Sequence, residues 1–199
     1  MNIGVLGGTF DPVHIGHLII AEQARVELGL SEVLFVPAGQ PWLKVDHNVT
    51  PAFHRVEMLR RAVASNPHFR VCTLEVDRAG PSYTVDTMAG LKDELGTQSF
   101  FFILGQDSFD DLPLWKEPDR LVRMCQLAVV PRLGLRSPGL NSLTSSVRGA
   151  QGRVRTVSAP VVEVSSSEIR QRVAQGLSIR YLVPHEVEQY IAAQGLYQK

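Results

Sequence analysis

Five short apolar runs, residues 3–6, 33–36, 69–72, 100–104 and 127–130, recur along the chain with helical patterns between them. Each run is short and bounded by turn residues, as expected of a parallel strand buried on both faces. Leu18, Ile19, Ala21, Ala24 and Leu28 form one helical face that ends at Gly29. Val56, Leu59, Ala62 and Val63 form another after Pro51, and Val85, Met88, Leu91 and Leu95 a third that finishes before Gly96. Strand and helix in alternation predict an α/β, Rossmann-like doubly wound domain: a parallel sheet covered on both faces, with its ligand crevice at the carboxyl ends of the strands. Two further helices follow. Ser165-Ser166-Ser167-Glu168 is a capping box for a helix stopping near Gly176, and Pro184 opens a last helix with Val187, Tyr190 and Ile191 on one face, stopping near Gly195. No linker or repeat divides the chain, so residues 1–199 read as one domain with a helical portion over 165–199.

Residues 133–155, rich in Gly, Ser and Pro and without an acidic residue, read as a long surface loop. Arg132, Arg136, Arg148, Arg153 and Arg155 in and beside it either approach phosphates or form a solvated basic face. Overall, 20 basic and 20 acidic residues cancel, which disfavours an obligatory nucleic-acid partner. No apolar stretch approaches the roughly 18 residues of a membrane span, and no charged-then-apolar leader precedes the first strand. Cys72 and Cys125 make neither a C-x-x-C pair nor a disulfide framework and read as small core residues. A cytoplasmic location is expected. A homo-oligomer is compatible with the sequence.

The first strand breaks into Gly7-Gly8-Thr9-Phe10-Asp11-Pro12-Val13-His14-Ile15-Gly16-His17 and then into a helix. Paired glycines without Cβ atoms let the backbone turn and approach a ligand closely. The following helix aims its amides and positive dipole end at the same spot, which suits a polyphosphate. His14 and His17, three apart, face that spot together. An H-x-x-H pair also holds zinc in other proteins, but Asp11 alone offers a third ligand nearby, and Asp11 beside Pro12 equally serves a turn. Mg2+ bound mainly through nucleotide phosphates fits better, because that ion keeps its waters and needs few carboxylates.

This junction resembles that of the nucleotidyltransferases bearing the H-x-G-H signature. Further segments bring the resemblance to the bacterial nicotinate-nucleotide adenylyltransferases, which join ATP to nicotinate mononucleotide and release pyrophosphate and deamido-NAD. Glu75-Val76-Asp77-Arg78-Ala79-Gly80-Pro81-Ser82-Tyr83-Thr84-Val85-Asp86-Thr87 matches the family's E-x-x-R-x-G-x-S-Y-T-x-D-T, and Val164-Ser165-Ser166-Ser167-Glu168-Ile169-Arg170 its I-S-S-T-x-I-R. Pro41-Trp42-Leu43-Lys44 stands where the family reads P-P-H-K, so Lys44 is kept and the histidine is replaced by Leu43. Residues 101–107 end in Gly105-Gln106-Asp107, with Trp115 shortly after.

The resemblance implies His14 and His17 as catalytic groups that stabilise charge on the transferring phosphate. Gly7, Gly8, Thr9, Phe10, Lys44, Gly105, Asp107, Ser166 and Arg170 are implied for ATP, with Thr9 and Phe10 contributing backbone. Ser82, Tyr83, Thr84 and Trp115 are implied for the acceptor, Trp115 by stacking on the pyridine ring and Thr84 at the carboxylate. Simpler accounts stand beside several of these: Ser82 and Thr84 as helix caps, Trp115 as core, Lys44 as a solvated cation. A sister transferase acting on pantetheine phosphate, a sugar-alcohol phosphate or the amide mononucleotide, or a nucleotide sensor without catalysis, are the rival functions.

Overall fold

A computed structural model describes residues 1–41, 49–96, 98–131, 146–160 and 162–198. Lys44 and Leu43, and Arg132 and Arg136, lie outside the described residues.

The five predicted strands form: β1 Asn2–Gly8, β2 Glu32–Pro37, β3 Phe69–Val71, β4 Ser99–Gly105 and β5 Gln126–Val130. A sixth, β6 Val154–Thr156, pairs with β5 through Leu127 and Val154, Ala128 and Arg155, and Val129 and Thr156. All are parallel, in the order β3-β2-β1-β4-β5-β6. β6 corrects the expected loop over 133–155. It is a three-residue edge strand whose Arg155 and Thr156 face solvent, so no apolar run announces it. Within the same stretch Val147 and Ala150 are buried in the core, while Arg148, Arg153 and Arg155 are exposed, as the solvated reading expects.

The strands alternate strictly between two hydrophobic layers. Leu6, Val33, Phe35, Phe101, Ile103 and Ala128 face one layer; Val5, Leu34, Val36, Phe102, Leu127 and Val129 face the other. The first layer is covered by α1 Ile15–Glu27, α2 Ala52–Val63, α7 Ser166–Ala174 and α8 His185–Ala193. The second is covered by α4 Thr84–Leu95, α5 Gln106–Asp110 and α6 Pro118–Met124. The short α3 Leu74–Asp77 follows β3. Helices α3, α5 and α6 were not anticipated, because four to seven residues are too few to display a helical period.

The anticipated helices end where expected: Gly29, Gly96, Gly176 and Gly195 all take positive φ, the geometry glycine tolerates after a last helical turn. On α1, Ile20 packs on the core with Leu18 and Leu28, the place assigned above to Ile19. On α4, Leu95 reaches solvent while Val85, Met88 and Leu91 are buried. Cys125 is buried and Cys72 partly so; both thiols are free, and burial pushes both pKa values up, which leaves them inert.

Candidate active site

The chain leaves β1 toward α1 on one side of the sheet and leaves β4 toward α5 on the other, so a crevice opens between the carboxyl ends of these two neighbouring strands. Residues 9–12 fill its mouth. Phe10 takes a left-handed φ of 51°, which turns its ring inward against Phe35, 6.0 Å between centroids, and edge-on to His17 at 4.9 Å. A Cβ on Gly8 would come within 3.0–3.3 Å of that ring, whereas one on Gly7 would make ordinary contact with Phe102 at 3.5 Å. The Phe10 ring therefore dictates Gly8. The Phe10 ring belongs to the core, and only its backbone remains for a nucleotide.

His14 is the N-cap of α1. Its ring stacks on His17 with 3.7 Å between centroids and 30° between planes. Gly16 makes room for this arrangement, since a Cβ there would sit 3.1 Å from His14 Nδ1. The His14 amide donates to His17 Nδ1 at 3.2 Å, so the neutral His17 ring carries its proton on Nε2. The helix end is less open than the sequence suggests. The Ile15 amide donates to Leu182 O and that of His17 to His14 O, both at 3.0 Å.

His14 is 8% exposed, and its Nδ1 has no hydrogen-bond partner among the described residues. Burial lowers its pKa from 6.5 to about 4. The buried ring is therefore neutral near pH 7. Between pH 6.5 and 4 the unfolded chain binds a proton that the folded His14 refuses, so stability is lost as the pH is lowered through that window. The contribution is about 3 kcal/mol by linkage. We expect Tm to drop over this range and His14→Asn to flatten the drop. Comparing the two proteins cancels the opposing effect of Glu75, whose carboxyl burial pushes above its usual range.

One side of the crevice is a cavity of about 280 Å³ lined by Gly7, Gly8, Thr9, Ala38, Ser82, Thr84 and Trp115. Two loops meet there. Ser82 Oγ accepts the amides of Gly39 at 2.9 Å and Gln40 at 3.3 Å, and the Ser82 amide returns to Gln40 O at 3.0 Å. Ser82, 8% exposed, thus staples the loop after β2 to the start of α4. Thr84 is the first residue of α4 and borders the cavity. Neither Ser82 nor Thr84 caps that helix: the N-cap position is Tyr83, without a side-chain cap bond.

The Tyr83 ring does not line the cavity. It lies under Lys116 Nζ, 4.6 Å from the centroid, while Lys116 also pairs with Asp86 at 2.9 Å. Trp115 stands edge-on to Phe102 at 5.9 Å, and its Nε1 is buried without a partner among the described residues. Glu75, quoted in the motif but given no role from the sequence, also lines this cavity and accepts from Thr87 Oγ1 at 2.6 Å.

The opposite side holds a second cavity of about 180 Å³, lined by Gly16, Gly105, Gln106, Asp107, Pro131 and Val162. A Cβ on Gly105 would meet nothing within 4 Å. The space that this glycine keeps is therefore that of the cavity itself.

Helix α7 arrives from the far end of the chain. Ser165 Oγ accepts the Glu168 amide at 3.1 Å, the cap read from the sequence. Ser166 Oγ donates to Pro12 O at 2.8 Å, and Arg170 donates to Asp11 O at 2.7 Å and to Ser167 Oγ at 3.2 Å. Both of the residues assigned above to ATP are thus tied to the loop that carries the histidines. Among the described residues no three of His, Cys, Asp and Glu gather as a metal site. Asp11, the third ligand a zinc ion would need, has both oxygens engaged by Thr50 and Tyr197.

Residues 5–172 match the sequence model of the cytidylyltransferase-like family. Two bacterial proteins that carry the name "Probable nicotinate-nucleotide adenylyltransferase" align along nearly the whole chain. That of Thermomicrobium roseum is 46% identical over 197 residues, 99% of this chain and 92% of its own. That of Dehalococcoides mccartyi is 42% identical over 200 residues, 100% of this chain and 98% of its own. The Plasmodium falciparum nicotinic acid mononucleotide adenylyltransferase complexed with NaAD superposes with a TM-score of 0.81, at 21% identity, over 98% of this chain and 97% of that one, a likeness of fold. With a family model matched over most of its length and this degree of identity to its relatives, the chain belongs to the cytidylyltransferase-like family and, within it, to the nicotinate-nucleotide adenylyltransferases.

Proposed function

We propose that the protein transfers the adenylyl group of ATP to nicotinate mononucleotide, giving deamido-NAD and pyrophosphate. The observation that carries this reading is the pair of stacked imidazoles at the first β-to-α junction, whose chain neighbours border two separate cavities, Gly7, Gly8 and Thr9 the one and Gly16 the other. One cavity takes the adenosine side of ATP and the other the pyridine nucleotide. The two phosphates then meet at His14 and His17.

The acceptor's phosphate oxygen attacks the α-phosphorus in line. An O–P bond forms as the bond from the α-phosphorus to the β-bridging oxygen breaks, and that oxygen leaves with pyrophosphate. No covalent enzyme intermediate is needed. The protein supplies alignment and donors where negative charge grows. His17 Nε2–H and the neutral His14 are those donors, and the approach of a triphosphate raises the affinity of both rings for a proton.

Trp115 offers an aromatic face to an electron-poor pyridine ring. Thr84, at a helix start, offers its hydroxyl and amide to the carboxylate. Gly7, Gly8 and Thr9 bring backbone to the phosphates from one side, and Gly105 and Asp107 border the ATP side. Lys44 is proposed as a further cation for phosphate. Ser166 and Arg170 serve through the loop they hold.

Mg2+ comes with the triphosphate in this reading, because Asp11 is already engaged and the donors among the described residues form no cage for it. When bound, it neutralises part of the phosphate charge. No helix among the described residues is long and apolar enough to cross a membrane, and we place the reaction in the cytoplasm.

Pyrophosphate release, measured with ATP, Mg2+ and a panel of acceptors, tests the assignment. Turnover confined to nicotinate mononucleotide supports it. Turnover with pantetheine phosphate or with the amide mononucleotide alone names a sister enzyme, and ATP binding without turnover names a sensor. The two-cavity division makes its own prediction. Gly105→Val is expected to leave Tm within about 2 °C and to raise the KM for ATP about tenfold, with the acceptor's KM unchanged, since the added methyls enter open space on the ATP side alone.

A further inference from the structure

Behind the crevice lies a buried polar network that the chemistry above does not use. Arg55, on α2, is 1% exposed. Its Nε donates to Thr50 O at 2.8 Å, Nη1 to Thr9 O at 2.8 Å and Nη2 to Ala38 O at 2.7 Å. One guanidinium therefore fixes the distance between the loop after β1 and the loop after β2, both of which line the larger cavity.

Asp11, also buried, accepts the Thr50 amide on Oδ2 at 3.1 Å and the Tyr197 hydroxyl on Oδ1 at 2.7 Å. Tyr197 comes from the segment after α8, 186 positions away in sequence. Burial, reinforced by Asp11, pushes its pKa up, so the phenol keeps its proton and donates. With Arg170 on Asp11 O and Ser166 on Pro12 O, residues 9, 11 and 12 are each gripped by a side chain from another element. The one residue between them without such a grip, Phe10, packs its ring on His17.

We propose that Tyr197 and Arg55 are positioning residues for adenylyl transfer, acting through Asp11 and Thr9 on the placement of His14 and His17. This rests on the function proposed above. The phenol and the guanidinium touch no reacting atom; they set the loop on which the two rings stand. Displacing catalytic groups by a fraction of an ångström lowers turnover steeply while leaving substrates bound.

Tyr197→Phe removes one hydroxyl and keeps the ring. It is expected to lower kcat roughly tenfold with the KM of ATP and of nicotinate mononucleotide within about twofold of the parent. A kcat equal to the parent's, or a loss that appears only in KM, overturns the proposal even if Tm falls. Arg55→Lys carries the same test should the phenol's loss unfold the chain. It differs in raising the acceptor's KM as well, because Ala38 is released.

Histidine ¹⁵N spectra give a readout that needs no turnover. The parent is expected to show His17 protonated on Nε2 alone, and Tyr197→Phe to show a mixture of tautomers. Identical spectra overturn the proposal. If the parent protein itself releases no pyrophosphate, the assigned reaction has failed, and the spectra still judge the network.

Discussion

Replacing His17 by Ala is expected to lower kcat by roughly 10²- to 10³-fold while the KM for ATP stays within about threefold of the parent, the effect of removing one donor to a developing oxyanion. The geometry favours an effect on turnover over one on binding. His17 Nδ1 is occupied by the His14 amide, so the ring offers one donor in one direction, already oriented before substrate arrives. The His14 ring at 3.7 Å and the Phe10 ring at 4.9 Å hold the plane. An oriented donor of this kind acts most on the arrangement whose charge is greatest. Steady-state kinetics with ATP varied at saturating acceptor measure the split. Equal losses in kcat and in ATP affinity would instead make His17 a ground-state phosphate ligand.

Gly39→Ala should have the second largest effect, on stability and on the acceptor together. The added Cβ would be built onto the Glu75 carbonyl oxygen, also crowding Val76 Cα, so the backbone has to move. Overpacking of this kind costs about 1–3 kcal/mol. The displaced loop is the one that Ser82 staples and Arg55 holds, so the cavity bordered by Thr84 and Trp115 changes shape. We expect a lower Tm in thermal unfolding and a KM for nicotinate mononucleotide raised at least about tenfold, with the KM for ATP little altered. An unchanged Tm would mean that this approach of the two loops is looser than the structure shows.

Much of this architecture was legible because burial on both faces writes an unmistakable pattern. Four of the five strands that read as apolar runs lie inside the sheet; β3, at one edge, was marked only by Phe69 and Val71 on either side of the exposed Arg70, whereas Val154, at the other edge and between two arginines, carries no such mark. The histidines were legible for a related reason: three-residue spacing at a helix start has few uses, and Gly16 between them proves to be the space into which the His14 ring fits.

Arg55 was not singled out, although a trace of its role is present. It lies three, four and seven residues before Met58, Leu59 and Ala62, on the apolar stripe of α2, where a cation has to be paired or bonded. Tyr197 left no trace at all, because its contact with Asp11 exists only once the chain has folded back on itself. Ser166 and Arg170 show the opposite limit. The resemblance assigned them to ATP, and in the structure their bonds run to the loop that carries the histidines, a partnership that residue type alone does not announce.

The grip on residues 9–12 by α2, α7 and the stretch after α8 has a consequence for biosynthesis of the chain. A ribosome-tethered intermediate that has emerged only as far as β5 owns every strand bordering the crevice and both imidazoles, yet lacks Ser166, Arg170 and Tyr197. Such a nascent molecule can begin to fold around its sheet while the loop between β1 and α1 still lacks three of the side chains that hold it.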